Sequence, residues 1–191
     1  MSTEPSAKAN PMDAIQSVWY RLALLFVAMD AIVCWFIFGP SSPWSAVAVA
    51  SGTFALGPAV AGPVVRRVPR QWFRVPAWER VLHRIAGVGF FVWLLDVAGW
   101  NRRVAEPMRG FSGKRTGLAS LQQSLRGNVS AHGTCFATHV LLAVLALFSR
   151  HPWSAALWML VPGIVVHLYP VLLQRSIMLR LQPLLDKSSS C

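Results

Sequence analysis

The chain has 191 residues, enough for one domain; 54% of them are hydrophobic, 13% are charged, and the formal net charge is +11. A soluble fold of this size needs a charged shell, and this balance excludes an ordinary one. The apolar residues instead gather in runs long enough for a hydrocarbon layer of ~30 Å, which takes about 20 helical residues. The basic residues lie between and beyond those runs, where positive-inside bias and anionic headgroups account for them, so no nucleic-acid partner is expected.

Residues 1–17 read as a disordered cytoplasmic N-terminus. They hold Lys8 but also Glu4 and Asp13, and the run that follows is too long for a signal-peptide core and lacks a small-residue cleavage site. That run, about 18–38, is apolar apart from Arg21 at its start and Asp30 near its middle, and Gly39-Pro40 signals a turn. The second run, 44–65, is made of small apolar residues, with Gly52, Gly57 and Gly62 at five-residue spacing and Pro58 and Pro63 expected to kink it. Between residues 66 and 84, six arginines alternate with Trp72, Phe73 and Trp78, a composition suited to the headgroup zone. The segment 85–100 is apolar but holds only 16 residues and contains Asp96, so it reads as interfacial or re-entrant, within an interfacial segment 78–100.

A basic stretch, 101–126, is followed by a run at 131–148, a turn at 149–152 and a run at 153–173. If 85–100 does not cross, four crossings leave 17 of the 18 basic residues on one side against Arg150 alone. If it did cross, Arg102, Arg103, Arg109, Lys114, Arg115 and Arg126 would move outside. The positive-inside rule therefore selects an all-α integral protein of the cell membrane with about four transmembrane helices and both termini cytoplasmic. Beyond residue 173, Ile177, Leu181 and Leu184 recur at helical spacing, which predicts an amphipathic C-terminal helix to about residue 185, before a disordered tail at 186–191.

Ionisable groups at membrane depth are costly and therefore informative. They are Asp30, His132 and His139 seven apart on one helix face, and His167, with Tyr169 and Gln174 nearby. Asp30 is either tied to a neighbouring helix or a base or substrate anchor. The histidines either hydrogen-bond between helices or act as acid and base near neutral pH. A haem or metal held with His167 or His83 is a further reading. Glu79 and Asp96 lie in a field of arginines, as ion pairs or as part of a platform for a phosphate-bearing substrate or lipid. Cys34, Cys135 and Cys191 have no redox or metal-ligand spacing and read as small buried hydrophobes, and no metal is expected. The sequence has no GxSxG elbow, HExxH motif, Gly-rich phosphate loop or CxxC pattern.

The segment HLYPVLLQRSIMLRL, residues 167–181, resembles the terminal signature NLPxxxxQRYNRxRL of the glycosyl-4,4'-diaponeurosporenoate acyltransferase (CrtO-like) family. His167 takes the Asn position, and Gln174, Arg175, Arg180 and Leu181 fall in register. WERVLHRIAGVGFF at 78–91 is similar to the family's segment before an interfacial helix, and 110–133 resembles the stretch that ends in Glu-x-x-His, with His132 in the histidine position. Ser176, Ile177 and Met178 replace the family's Tyr, Asn and Arg, and Val129 replaces its acidic residue.

The resemblance implies a membrane acyltransferase that moves a fatty acyl group to a hydroxyl of a glycosylated isoprenoid or other lipid. His132 would be the general base. Substrate contacts would come from His167, Gln174, Arg175 and Arg180, joined by Asp30, Glu79 and His139 from the reading of the ionisable groups above. An acyl thioester would be a co-substrate, no cofactor is implied, and membrane lipids and a lipid-like substrate are the expected partners. The alternatives are a non-catalytic subunit or scaffold with a membrane-protein partner, and a haem- or quinone-binding bundle.

Overall fold

Pro43 opens the second long helix at a position whose missing N–H costs nothing, and Ser42 caps it by accepting from Trp44 N at 3.3 Å. The computed structural model describes residues 11–106, 111, 114–149 and 151–188, and these contain seven α-helices. They are α1 (Pro11–Ile37), α2 (Pro43–Arg67), α3 (Glu79–Ile85), α4 (Val88–Val97), α5 (Leu118–Phe148), α6 (Trp153–Gly163) and α7 (Tyr169–Ser188). No strand occurs among the described residues, as the all-α reading requires. Gly39 turns the chain after α1 with φ +74°, and Gly87 and Gly99, at +68° and +70°, close off α4 on both sides.

Helices α6 and α7 are joined by one wide π turn, Ile164–Leu168, so that a single rod of 34 residues runs from Trp153 to Asp186. Its cause is local. Pro170 has no N–H for the carbonyl four residues back, and the ladder is reset when Tyr169 N donates to Ile164 O.

Helix α5 is the hub: it packs on α2, α6 and α7, while α1 packs on α2. The contacts between these helices are built from small residues, with Ala31, Ala46, Ala50, Ala131, Ala143, Ala146, Ala155 and Ala156 all buried. The large apolar side chains point outward instead, among them Phe26, Phe36, Trp44, Phe90, Phe148 and Trp153. A protein in water would bury the second set; small residues inside and large ones outside is the arrangement that suits a lipid surround. A second cluster, at the level of the arginine-rich segment, joins Phe73 and Val75 to Leu121, Leu125 and Met178.

Among the described residues, two helices are long and apolar enough to cross a membrane, Leu118–Phe148 and Trp153–Asp186. That is fewer than the four expected. In α1 the shorter apolar stretch Leu25–Ile37 carries Asp30 within it, and α2 is a helix of 25 residues rich in Gly, Ala, Ser and Pro. Both still form continuous helices where the first two runs were read, and α2 continues through Pro58 and Pro63.

Three boundaries move. α1 begins at Pro11, inside the stretch expected to be disordered at 1–17, and α7 runs to Ser188, inside the expected tail 186–191; residues 1–10 and 189–191 lie outside the described residues. α5 begins at Leu118, within the stretch 101–126 read as a polar connection. The reason is that Leu118, Leu121 and Leu125 recur at helical spacing and are buried, which extends the helix well past its apolar run.

Candidate functional site

Three of the candidate histidines converge where α2, α5 and the π turn meet. Gly57 lies so close to α5 that an added Cβ would stand 3.7 Å from Ala131 Cβ and 3.8 Å from Cys135 Sγ. Close helix approach brings Thr53, one turn earlier on α2, to the histidines. Thr53 Oγ1 lies 2.8 Å from His167 Nε2 and 3.4 Å from His139 Nε2, and His132 Nδ1 lies 3.2 Å from His167 Nδ1. Thr53, His139 and His167 are almost completely buried, and His132 is half-buried at the edge of the group beside Phe54.

Two features aim these rings. His132 and His139 are seven residues apart on α5 and so share its face, while the π turn swings His167 inward opposite them. Gly163, just before that turn, gives α5 room: a Cβ there would lie 2.6 Å from His139 Cβ.

Backbone carbonyls decide part of the protonation pattern because they only accept. His139 Nδ1 therefore donates to Met159 O at 2.8 Å, which leaves its Nε2 as a bare acceptor facing Thr53. The Thr53 hydroxyl has Val49 O at 2.8 Å and Ala50 O at 3.1 Å within reach of its single proton. Cys135 Sγ donates to Thr53 O at 3.2 Å and ties α5 to the same turn. Cys34 and Cys135 are buried free thiols, as their apolar setting suggested.

A second group forms between α3 and α7. Arg175, on α7, holds Glu79 of α3 with both ends of its guanidinium, at 2.7 Å and 2.5 Å, and donates to Trp72 O at 3.1 Å. His83 Nε2 is 3.7 Å from Glu79 Oε2. Burial, more than any charge, pushes the His83 pKa below its ordinary value; Glu79 pulls it up and Arg175 pushes it further down.

The predicted residues thus fall into separate places. His132, His139 and His167 meet one another; Glu79 meets Arg175; Arg180 is exposed and lines a pocket between α3, α4 and α7. Gln174 is buried on α7 with its Oε1 unpartnered. Asp30 stands apart, accepting from Cys34 Sγ at 3.7 Å and lying against Gly52, where an added Cβ would be 2.5 Å from its Oδ2. No hydrogen bond among the described residues links it to the histidines. Asp96 accepts from Asn101 Nδ2. Thr53 is the residue that sequence reading missed; a lone threonine in a run of small residues carries no signal until the helices are packed. Among the described residues, no group of three or more His, Cys, Asp and Glu side chains converges as a metal site requires.

The sequence profile of the glycosyl-4,4'-diaponeurosporenoate acyltransferase family matches residues 69–187, well over half of the chain. No curated relative and no solved structure matches it. The matched region contains α3, α4, α5, α6, α7 up to residue 187, and every histidine and arginine of the two groups just described. On that coverage, the chain belongs to the glycosyl-4,4'-diaponeurosporenoate acyltransferase family.

Proposed function

We propose that this protein is a membrane acyltransferase that transfers a fatty acyl group to a hydroxyl of a glycosylated isoprenoid or related lipid, with His132 as general base. The observation that carries this reading is the chain of contacts from His132 through His167 to Thr53. If the Thr53 hydroxyl donates to Val49 O, its oxygen accepts from His167 Nε2–H, and His167 Nδ1 in turn accepts from His132 Nδ1–H. His132 is then left with a bare Nε2, the form that takes a proton from an attacking hydroxyl.

The family's acidic residue, three positions before the histidine, is Val129 here. His167, at a family asparagine position, supplies the orienting acceptor that the carboxylate would have given. An acyl thioester serves as donor. In the membrane, α1, α2, α5 and the α6–α7 rod make four crossings with both termini cytoplasmic. The large apolar side chains exposed on α1 support this, and so does α4, whose 10 residues span only about 15 Å. Helices α3 and α4 lie at the interface, where Ile85, Phe90, Trp93 and Val97 are exposed.

A second reading, a non-catalytic subunit, draws on one observation: Met178, at a family arginine position, is buried in the apolar cluster with Phe73 and Leu125. Mass spectrometry of lipids from cells with and without the gene separates the two. An acylated glycolipid missing in the deletion, restored by wild type and not by His132→Ala, is the expected result. An unchanged lipidome would leave the subunit reading.

A further inference from the structure

Between α3, α4 and α7 lies a pocket of about 410 Å³ that the histidine chain does not use. Val88 and Ile177 contribute apolar wall, and His83, Arg84, Asn101 and Arg180 contribute polar wall. Two of its buried polar atoms, His83 Nε2 and Asn101 Oδ1, have no hydrogen-bond partner. His83 is only 7% exposed, and the carboxylate nearest to it is already engaged by Arg175. Asn101 gives its amide nitrogen to Asp96, so its oxygen is left to accept. Buried polar groups without partners are uncommon and costly, and two on one pocket wall mark a place built to receive a polar group.

The charge around the pocket is positive. Arg84 and Arg180 stand at its rim with no carboxylate partner among the described residues, and Glu79 is neutralised by its own arginine. Cations and a histidine suit a phosphate, the Asn101 oxygen suits a hydroxyl or amide N–H beside it, and the apolar wall suits an alkyl chain. Leu173, another wall residue, lies roughly 9 Å along the helix from His167, so a chain seated here can run toward the histidines.

We propose that this pocket binds the phosphate end of an amphiphile: a phosphate ester joined through a hydroxyl- or amide-bearing linker to an acyl chain. Two sources have that chemistry, an acyl thioester on a phosphopantetheine arm and a phospholipid headgroup. The pocket's role as donor site rests on the acyltransferase reading; binding itself does not.

The test uses the full chain in nanodiscs of phosphatidylcholine. Titration with palmitoyl-coenzyme A is compared with palmitate, which lacks the phosphates, and phosphatidylglycerol retention is measured by native mass spectrometry. Wild type should bind the thioester more tightly than palmitate, and Arg84→Ala/Arg180→Ala should lose on the order of tenfold or more in affinity for the true ligand. Both arginines are exposed, so the variant should fold; His83→Gln, a single change in the wall, is the second probe. Loss confined to the thioester identifies the donor, and loss confined to phosphatidylglycerol identifies a lipid headgroup. Unchanged affinity of the variants for both overturns the proposal, and equal binding of palmitate and thioester excludes the thioester as the ligand. A protein that binds but never acylates keeps the pocket and loses the acyltransferase reading, and one that acylates with binding insensitive to these changes loses only the pocket.

Discussion

His132, His167 and Thr53 form a line in which each member's hydrogen bonds define its neighbour's tautomer, so removing one changes what the next can do. On the proposed reading, His132→Ala removes the base and should lower acyl transfer about a hundredfold to ten-thousandfold with the fold retained, as measured on purified protein. On the same reading His167 acts through His132: His167→Asn, which restores the family residue and can still accept from Nδ1–H, should lose less than His167→Ala, for which a loss on the order of 10- to 100-fold is expected. The pH profile of turnover should move in His167→Ala, an effect that a purely structural role would not produce. His83 gives a different pH signature. Its folded pKa lies below its unfolded value, so its contribution to stability is complete above about 6.5 and falls as pH drops below that, because the unfolded chain takes up the proton first. Melting in detergent between pH 7.5 and 5 should therefore decline more for wild type than for His83→Gln, and parallel curves would refute the assignment.

At the scale of elements, α3 has only seven residues and cannot persist by itself, so its docking depends on what it offers α7. Glu79 is that offer, buried and held by two guanidinium contacts. Removing one partner of a buried pair typically costs about 3–5 kcal/mol, so Glu79→Ala should release α3, seen as faster hydrogen exchange in residues 79–85 before any change in α5. The π turn makes a separate demand. A Cβ at Gly163 would collide with the backbone-proximal atoms of His139, which cannot swing away, whereas one at Gly52 would meet only the carboxylate end of Asp30. Gly163→Ala is therefore expected to cost more than Gly52→Ala, by about 1–3 kcal/mol, in thermal unfolding.

For the whole molecule, the inverted packing, with alanines inside and large apolar side chains outside, is what the proposed four crossings rest on. A cysteine introduced at Ser149, in the turn between α5 and α6, should be labelled by a membrane-impermeant maleimide from outside intact cells, and one at Ser188 only after the membrane is opened. The opposite pattern, or labelling of both from one side without lysis, would break the topology.

The order of residues alone pointed to helices suited to lipid, because long apolar runs and segregated arginines can be read without coordinates. The QR and RL positions of residues 174–181, together with His132, were enough to expose the family. Helix positions were legible wherever Gly, Pro or Ser marked an end. The start of α5 at Leu118 was obscured by the polar residues between its buried leucines. Which side chains meet was decided by tertiary structure, since contact depends on how closely small residues let helices approach. That is why Thr53 joined the histidines, Glu79 took Arg175, and Asp30 stayed apart.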